Sequence, residues 1–462
     1  MSYPSSELVI DPVLIRKYDV NGPRYTSYPT ADRFVEAFGE AAFRHALATR
    51  NIGGVTQPLS LDVHVPFCSD TGYCACDKEA ARDRATASRY VEYLGHEAGL
   101  AAKATDGGRR IVQMHWGCGI PIFLGREDLC NLLDMLDSHF ERGPDCECSI
   151  EVNPCDIAAG DMGFLAGLGF NRVSVGVRDF DPSVQEAVHR IQPEEMARQV
   201  VGEAREAGFR SINLELIYGL PRQTLDSFNA TLDKVLKLDP DRIALYSYAH
   251  LPLKFKPRQV VEAQLPSAEA NLQILTLAIG RLTRAGYLYI GMDHFAKPND
   301  DLAVAQRQGR LHRNFQGYTT HPECDMLGFG VSAISRMGAT YSQNLKVLDD
   351  YYAALDADRL PVGTGLALTR DDLMRRAVIQ ALICQFRLSV ESFESAYLID
   401  FRDYFSRELE ELKRLEEDGL VEVQPEWIVI TSKGRLLVRI VCMAFDRYLR
   451  EGRHTAGFSR VL

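Results

Sequence analysis

Cys68, Cys74 and Cys76 place three thiols within nine residues, in a polar, glycine-containing loop that follows the β-rich run LSLDVHV (59–65). Thiolates on a loop suit metal or cluster ligation, because a loop can turn three sulfurs toward one point and a strand, with its alternating side chains, cannot. Eleven cysteines in 462 residues are too few for a disulfide scaffold, so this group reads as ligands in a reducing compartment. The others carry a plainer reading. Cys130, Cys384 and Cys442 sit in apolar helical patterns and are expected as buried small hydrophobes. Cys146 and Cys148 are two apart in a strand pattern, share a face, and are expected in the core. The turn Gly117-Cys118-Gly119-Ile120-Pro121 follows a second strand pattern. A glycine there lets backbone groups approach a ligand that a Cβ would block.

The elements that must position these residues alternate regularly. Strand patterns occur at 59–65, 111–116, 147–153, 171–177, 211–219 and 241–250, with helical periodicity between them, as in PEEMARQVVGEAREAG (193–208). Alternation of this kind implies βαβ units and a parallel sheet, either doubly wound or a full or partial barrel. Cys68, Gly119, Glu151, Arg178, Glu215 and Ala249–His250 all fall at the C-terminal ends of these runs. That edge carries the ligand site in both architectures, and only a barrel brings all six ends together. The fold is therefore expected to be α/β with a partial (β/α)6 barrel. The expected organisation is an N-terminal extension over 1–58, the barrel over 59–300, a connecting segment over 301–362 and a mainly helical domain over 363–462. Helix, helix and hairpin near the C-terminus have the order of a winged-helix module, but their mixed charge lacks a basic stripe.

Composition excludes several classes. A net charge of −11 argues against a general nucleic-acid or anionic-membrane surface. No apolar run approaches the ~20 residues of a membrane span, and MSYPSSELVIDP lacks the order of a signal peptide. A cytoplasmic protein with no nucleic-acid partner and no membrane insertion is expected.

The segments VHVPFC (63–68), HWGCGIP (115–121), SIEVNP (149–154) and LIYGLPRQT (216–224) together resemble radical S-adenosylmethionine (SAM) enzymes. The strings YDVNGPRYTSYPTA, YAHLP, GMDHFAKP, LHRNFQGYTTH and the terminal FSRVL narrow the resemblance to the oxygen-independent coproporphyrinogen III oxidase family, from about residue 14 onward. The resemblance implies a radical SAM barrel with an N-terminal strap and a C-terminal helical domain. It also implies a [4Fe–4S] cluster on three thiolates, two SAM molecules, an external electron donor and a monomer. The reaction it implies converts two propionates of coproporphyrinogen III to vinyl groups by a SAM-derived 5′-deoxyadenosyl radical, giving protoporphyrinogen IX. By match to the family, Cys68, Cys74 and Cys76 would hold the cluster, while Asp62, Cys118, Gly119, Ile120, Glu151, Arg178, Arg190, Glu215, Ala249, Gln316 and Ile334 would line SAM. No catalytic acid or base is assigned.

Several of these positions depart from the family pattern. The cluster loop is one residue short and has Gly72 where the second cysteine belongs, so Cys76 is the local substitute. Asp62 stands for a tyrosine, Cys118 for a glycine, Ile120 for a threonine, Arg178 for a glutamine and Glu215 for an aspartate. These changes set an alternative beside the oxidase: a catalytically silent relative that binds haem or porphyrin as a chaperone or regulator. Arg24, Arg313 and Arg460 are expected either to meet substrate propionates or to form surface ion pairs, with Arg313 favoured. His64, His115, His250, His294 and His312 read as structural, and Tyr25 and Tyr28 as either gating or packing residues.

Overall fold

A computed structural model describes residues 8–51, 57–68, 84–105, 108–248, 262–322, 324–451 and 458–461. In chain order the strands are β1 (Leu59–His64), β2 (Arg110–Gly117), β3 (Glu141–Val152), β4 (Arg172–Arg178), β5 (Ser211–Tyr218), β6 (Arg242–Ser247), β7 (Leu288–Gly291), β8 (His294–Ala296), β9 (His312–Asn314), β10 (Gly317–Thr319), β11 (Asp325–Phe329), β12 (Ile334–Met337), β13 (Thr340–Asn344), β14 (Val362–Ala367), β15 (Arg387–Ser389), β16 (Val421–Val423) and β17 (Trp427–Ile430). The chain divides into two compact units.

The larger unit comprises residues 33–274 and 323–367. Its strands run in the order β14-β13-β12-β11-β1-β2-β3-β4-β5-β6, and every pairing from β11 through β1 to β6 is parallel. The six βα strands are thus laid down in sequence order with no reversal. A doubly wound sheet reverses direction part-way; one-way winding is the topology of a barrel, here left partial and extended by the antiparallel strands β12 to β14. One face of the core strands is a buried apolar layer, as Leu61, Val63, Met114, Trp116, Ile150, Val175, Leu214, Leu216 and Ile243 show, and the other carries half-buried polar residues such as His115, Glu151 and Glu215. The intervening helices form for local reasons. Leu225–Leu238 opens on a Thr224/Ser227 capping box and buries Phe228, Leu232 and Val235. Arg126–His139 carries Glu127 and Asp128 in its first turn, where the helix dipole favours acid, and buries Leu129, Leu132, Leu133 and Leu136.

One strand differs from the sequence expectation. β3 begins at Glu141, six residues before the apolar run, and its pairing with β2 shifts register between Ile111 and Gln113. Gly143-Pro144 hides this part of the strand, because both residues signal turns. The irregular register absorbs them.

The smaller unit comprises residues 1–32, 275–322 and 368–462. Helices Arg370–Gln385 and Ser406–Glu417, the antiparallel sheet β15-β17-β16 and helix Val438–Ala444 give its C-terminal part the expected helix, helix and hairpin order. The N-terminal segment packs on it. Arg439 donates to the carbonyls of Pro23 (2.8 Å), Arg460 (2.9 Å) and Val461 (3.0 Å) and also to that of Gly22. Tyr25 and Tyr28 are buried, and Tyr25 Oη donates to Asp446 at 3.1 Å, so both pack. Cys384 and Cys442 are buried as expected, whereas Cys130, in the larger unit, is half-buried. Among the described residues no helix is long and apolar enough to cross a membrane.

Candidate active site

The exits of β1 and β2 are laced together. Val65 N donates to Gly117 O at 2.9 Å, and Ile120 N donates to Phe67 O at 2.8 Å. Gly119 lies at this crossing: a Cβ there would stand 2.1 Å from Val65 O and 2.8 Å from Phe67 O. The glycine is therefore required by the chain's own backbone, a reason the sequence did not supply. Cys68 follows β1 and is buried; Cys74 and Cys76 lie outside the described residues, as do Ala249 and His250. Cys118 is exposed and holds a left-handed backbone (φ 62°), which disfavours any residue but glycine.

Asp62 and His64 share a face of β1, with His64 Nε2 at 3.2 Å from Asp62 Oδ2. Burial works against a charged His64, but the Asp62 carboxylate and the Cys118 thiol outweigh it and raise its pKa well above the usual histidine value. His115 on β2 hydrogen-bonds Ser149 Oγ through Nδ1 (2.8 Å) and reaches to 3.5 Å from Glu151 on β3 through Nε2. Burial again opposes its charge, and Glu151 again raises the pKa. The two histidines expected to be structural thus touch two of the candidate carboxylates. Their signal was present: His64 is two residues from Asp62, hence on the same face of the strand.

Arg178 ends β4 in a left-handed conformation (φ 71°), and its Nη1 donates to Glu215 Oε2 at 2.9 Å. Ser174 Oγ holds the other oxygen of Glu215 at 3.0 Å. Arg190 Nη2 donates to Asn153 Oδ1 (2.7 Å) and Gly176 O (2.8 Å). A Cβ at Gly176 would lie 3.5 Å from an Arg190 nitrogen and 3.7 Å from one of Arg178, so the two guanidinium groups converge over this bare stretch of β4. Ile334 opens β12, opposite Gln343. Gln316 belongs to the smaller unit, on the turn between β9 and β10, where its N–H is taken by Asn314 Oδ1 at 2.9 Å.

Within the larger unit, Cys68, Gly119, Glu151, Arg178 and Glu215 lie at the C-terminal ends of the parallel strands, and Arg190, beyond the helix Pro182–Ala187, reaches the same end of β4 through Gly176 O. Three comparisons bear on what such an edge serves. The radical SAM superfamily profile matches residues 72–235, and that of the HemN C-terminal domain matches 368–437. Oxygen-independent coproporphyrinogen III oxidases from Escherichia coli and Pseudomonas aeruginosa are 48% and 47% identical, each over 98% of this chain and 98% of their own. The chain belongs to the oxygen-independent coproporphyrinogen III oxidase family.

The solved coproporphyrinogen III oxidase of E. coli, described as a radical SAM enzyme, matches 96% of this chain and all of its own with a TM-score of 0.91 at 46% identity. Fold expectation and fold agree. Radical SAM membership implies use of a [4Fe–4S] cluster and SAM. The described residues fit such a ligand at the β-strand edge: His64 Nδ1 and Arg178 Nε are buried there without a hydrogen-bond partner, and Glu151 keeps a side chain 38% exposed. SAM offers an ammonium, a carboxylate and ribose hydroxyls, which suit carboxylate and guanidinium groups side by side. Arg178 does not stand as an isolated cation, because Glu215 offsets its charge.

Proposed function

We propose that this chain carries out the reaction for which its relatives are named, the oxygen-independent oxidative decarboxylation of two propionates of coproporphyrinogen III to vinyl groups. Protoporphyrinogen IX is the product. The observation that carries the reading is the single edge of sequentially wound parallel strands bearing Cys68, Gly119, Glu151, Arg178 and Glu215, with Arg190 held against β4, in a chain 48% identical to an oxidase over 98% of both lengths.

In this reading Cys68, Cys74 and Cys76 hold a [4Fe–4S] cluster, and Asp62, Cys118, Gly119, Ile120, Glu151, Arg178, Arg190, Glu215, Ala249, Gln316 and Ile334 line two SAM molecules. The bound cofactors supply the one-electron chemistry that removes a hydrogen atom from each propionate side chain. Each side chain then loses CO₂ and passes one electron to a one-electron acceptor, leaving the vinyl group. Glu151 and Glu215 accept hydrogen bonds from the ligand's hydroxyl or ammonium groups. Arg190, fixed by Asn153 and Gly176, presents a donor of set direction. The laced turn at Gly119 holds the exits of β1 and β2 at constant separation, so the groups are oriented before the ligand arrives. The partners are coproporphyrinogen III and an external one-electron donor; a cytoplasmic monomer that neither enters membranes nor binds nucleic acid completes the reading.

The silent porphyrin-binding alternative has one observation in its favour. The Arg178–Glu215 pair engages a candidate ligand carboxylate within the protein. Anaerobic reconstitution with iron and sulfide, followed by SAM, reductant and coproporphyrinogen III, separates the two. The oxidase releases 5′-deoxyadenosine, CO₂ and protoporphyrinogen IX, and Cys68→Ala loses iron while Cys146→Ala keeps it. Porphyrin binding without SAM heat or 5′-deoxyadenosine establishes the silent relative instead.

A further inference from the structure

The smaller unit holds a guanidinium group whose surroundings leave it incomplete. Arg313, on β9, is only 5% exposed, and neither its Nε nor its Nη1 has a hydrogen-bond partner. A buried cation is costly unless paired, and so is a buried donor left without an acceptor. The two other arginines of the same expectation are satisfied: Arg24 faces Asp293 at 3.9 Å, and Arg460 pairs with Asp19.

The position of Arg313 is fixed from two sides. Gln380 clamps its backbone, accepting from Arg313 N (3.1 Å) and donating to Arg313 O (2.9 Å). Its guanidinium lies over the Tyr318 ring, 5.0 Å from the centroid, and Tyr318 Oη is tied to Ile383 O at 3.2 Å. Nearby, the pKa of Arg439 is lowered to about 10, first by burial and then by repulsion from Arg24, with Asp293 and Tyr25 opposing and Arg313 adding a smaller repulsion. Asp293 itself sits on the tight β7–β8 turn, where Met292 and Asp293 are both left-handed (φ 43° and 73°). Non-glycine residues in that conformation are strained and cluster at ligand sites.

We propose that Arg313 anchors a carboxylate of the tetrapyrrole substrate through the guanidinium N–H groups left without a partner, held on the Tyr318 platform. This rests on the function proposed above and deepens it, because coproporphyrinogen III presents four carboxylates and the chain must orient it by some of them. SAM also carries a carboxylate, so both ligands are compared.

The test uses the full chain and coproporphyrin III, the stable oxidised form of the substrate, with its tetramethyl ester as the neutral control. The wild-type chain binds the free acid more tightly than the ester. Arg313→Met weakens binding of the acid roughly 10- to 100-fold, as expected for one charge-assisted pair, leaves the ester and SAM unchanged, and melts at or above the wild-type temperature because a buried unpaired charge is gone. Arg313→Lys keeps part of the affinity. Undiminished acid binding in Arg313→Met, a lower melting temperature, or a loss confined to SAM overturns the assignment. Wild-type protein that binds neither porphyrin overturns the proposed function, and the anchor falls with it.

Discussion

Arg178 donates to Glu215 at 2.9 Å across the ends of β4 and β5, so that two residues expected separately to contact SAM contact each other. Their side chains are 28% and 17% exposed, which makes this a partly buried pair. Ser174 Oγ on Glu215 and the left-handed backbone of Arg178 hold the geometry.

A double-mutant cycle with Arg178→Gln and Glu215→Gln measures that pair. Removing either partner alone leaves the other charge half-buried, so each single change destabilises more than the two together. Partial exposure screens the interaction, and the coupling is ~1 kcal/mol. Denaturant unfolding of the four proteins gives the value; strict additivity would show that the two groups do not interact.

The turn after β2 should answer oppositely at two adjacent positions. Gly119→Ala forces a Cβ to 2.1 Å from Val65 O, a backbone atom with no freedom to move aside, and costs ~1–3 kcal/mol or more. Cys118→Gly relieves a left-handed residue but gives the unfolded chain more freedom, so stability stays within about 1 kcal/mol. Calorimetry with SAM should find affinity lost in the first variant and kept or raised in the second. Equal destabilisation by both would contradict the geometry.

Glu97, on helix Arg84–Ala104, gives the larger unit a pH dependence. Its carboxylate accepts from Tyr351 Oη (2.7 Å), Gly330 N (2.8 Å) and Asn344 Nδ2 (2.6 Å). Burial pushes its pKa up to about 7, with those donors opposing. The folded protein therefore holds this proton where the unfolded chain, titrating near 4.5, has released it. The stability from this group is fully present below about 4.5 and is lost as pH rises through about 7, a change of ~3 kcal/mol. Denaturant unfolding between pH 4.5 and 8 should show wild type losing stability relative to Glu97→Gln. A pH-independent difference between the two would mean that Glu97 is ionised throughout.

Much of the fold was legible in local pattern. The β-branched runs, the helical periodicity of 193–208 and the turn residues placed six strands and their helices, with β3 the exception because Gly143-Pro144 conceals its start. Cys68, Gly119, Glu151 and Glu215 stood out because residue type and position at a strand's end are both properties of the sequence. Tertiary structure alone decided what these residues do to one another. Strand order chose a barrel over a doubly wound sheet, since spacing along the chain is the same in both. It set His64 against Asp62, His115 against Glu151 and Arg178 against Glu215. It also distinguished Arg313 from Arg24 and Arg460, three arginines alike as sequence. The reason is that charge pairing and desolvation depend on distance and burial, which arise only when segments far apart in the chain are packed together.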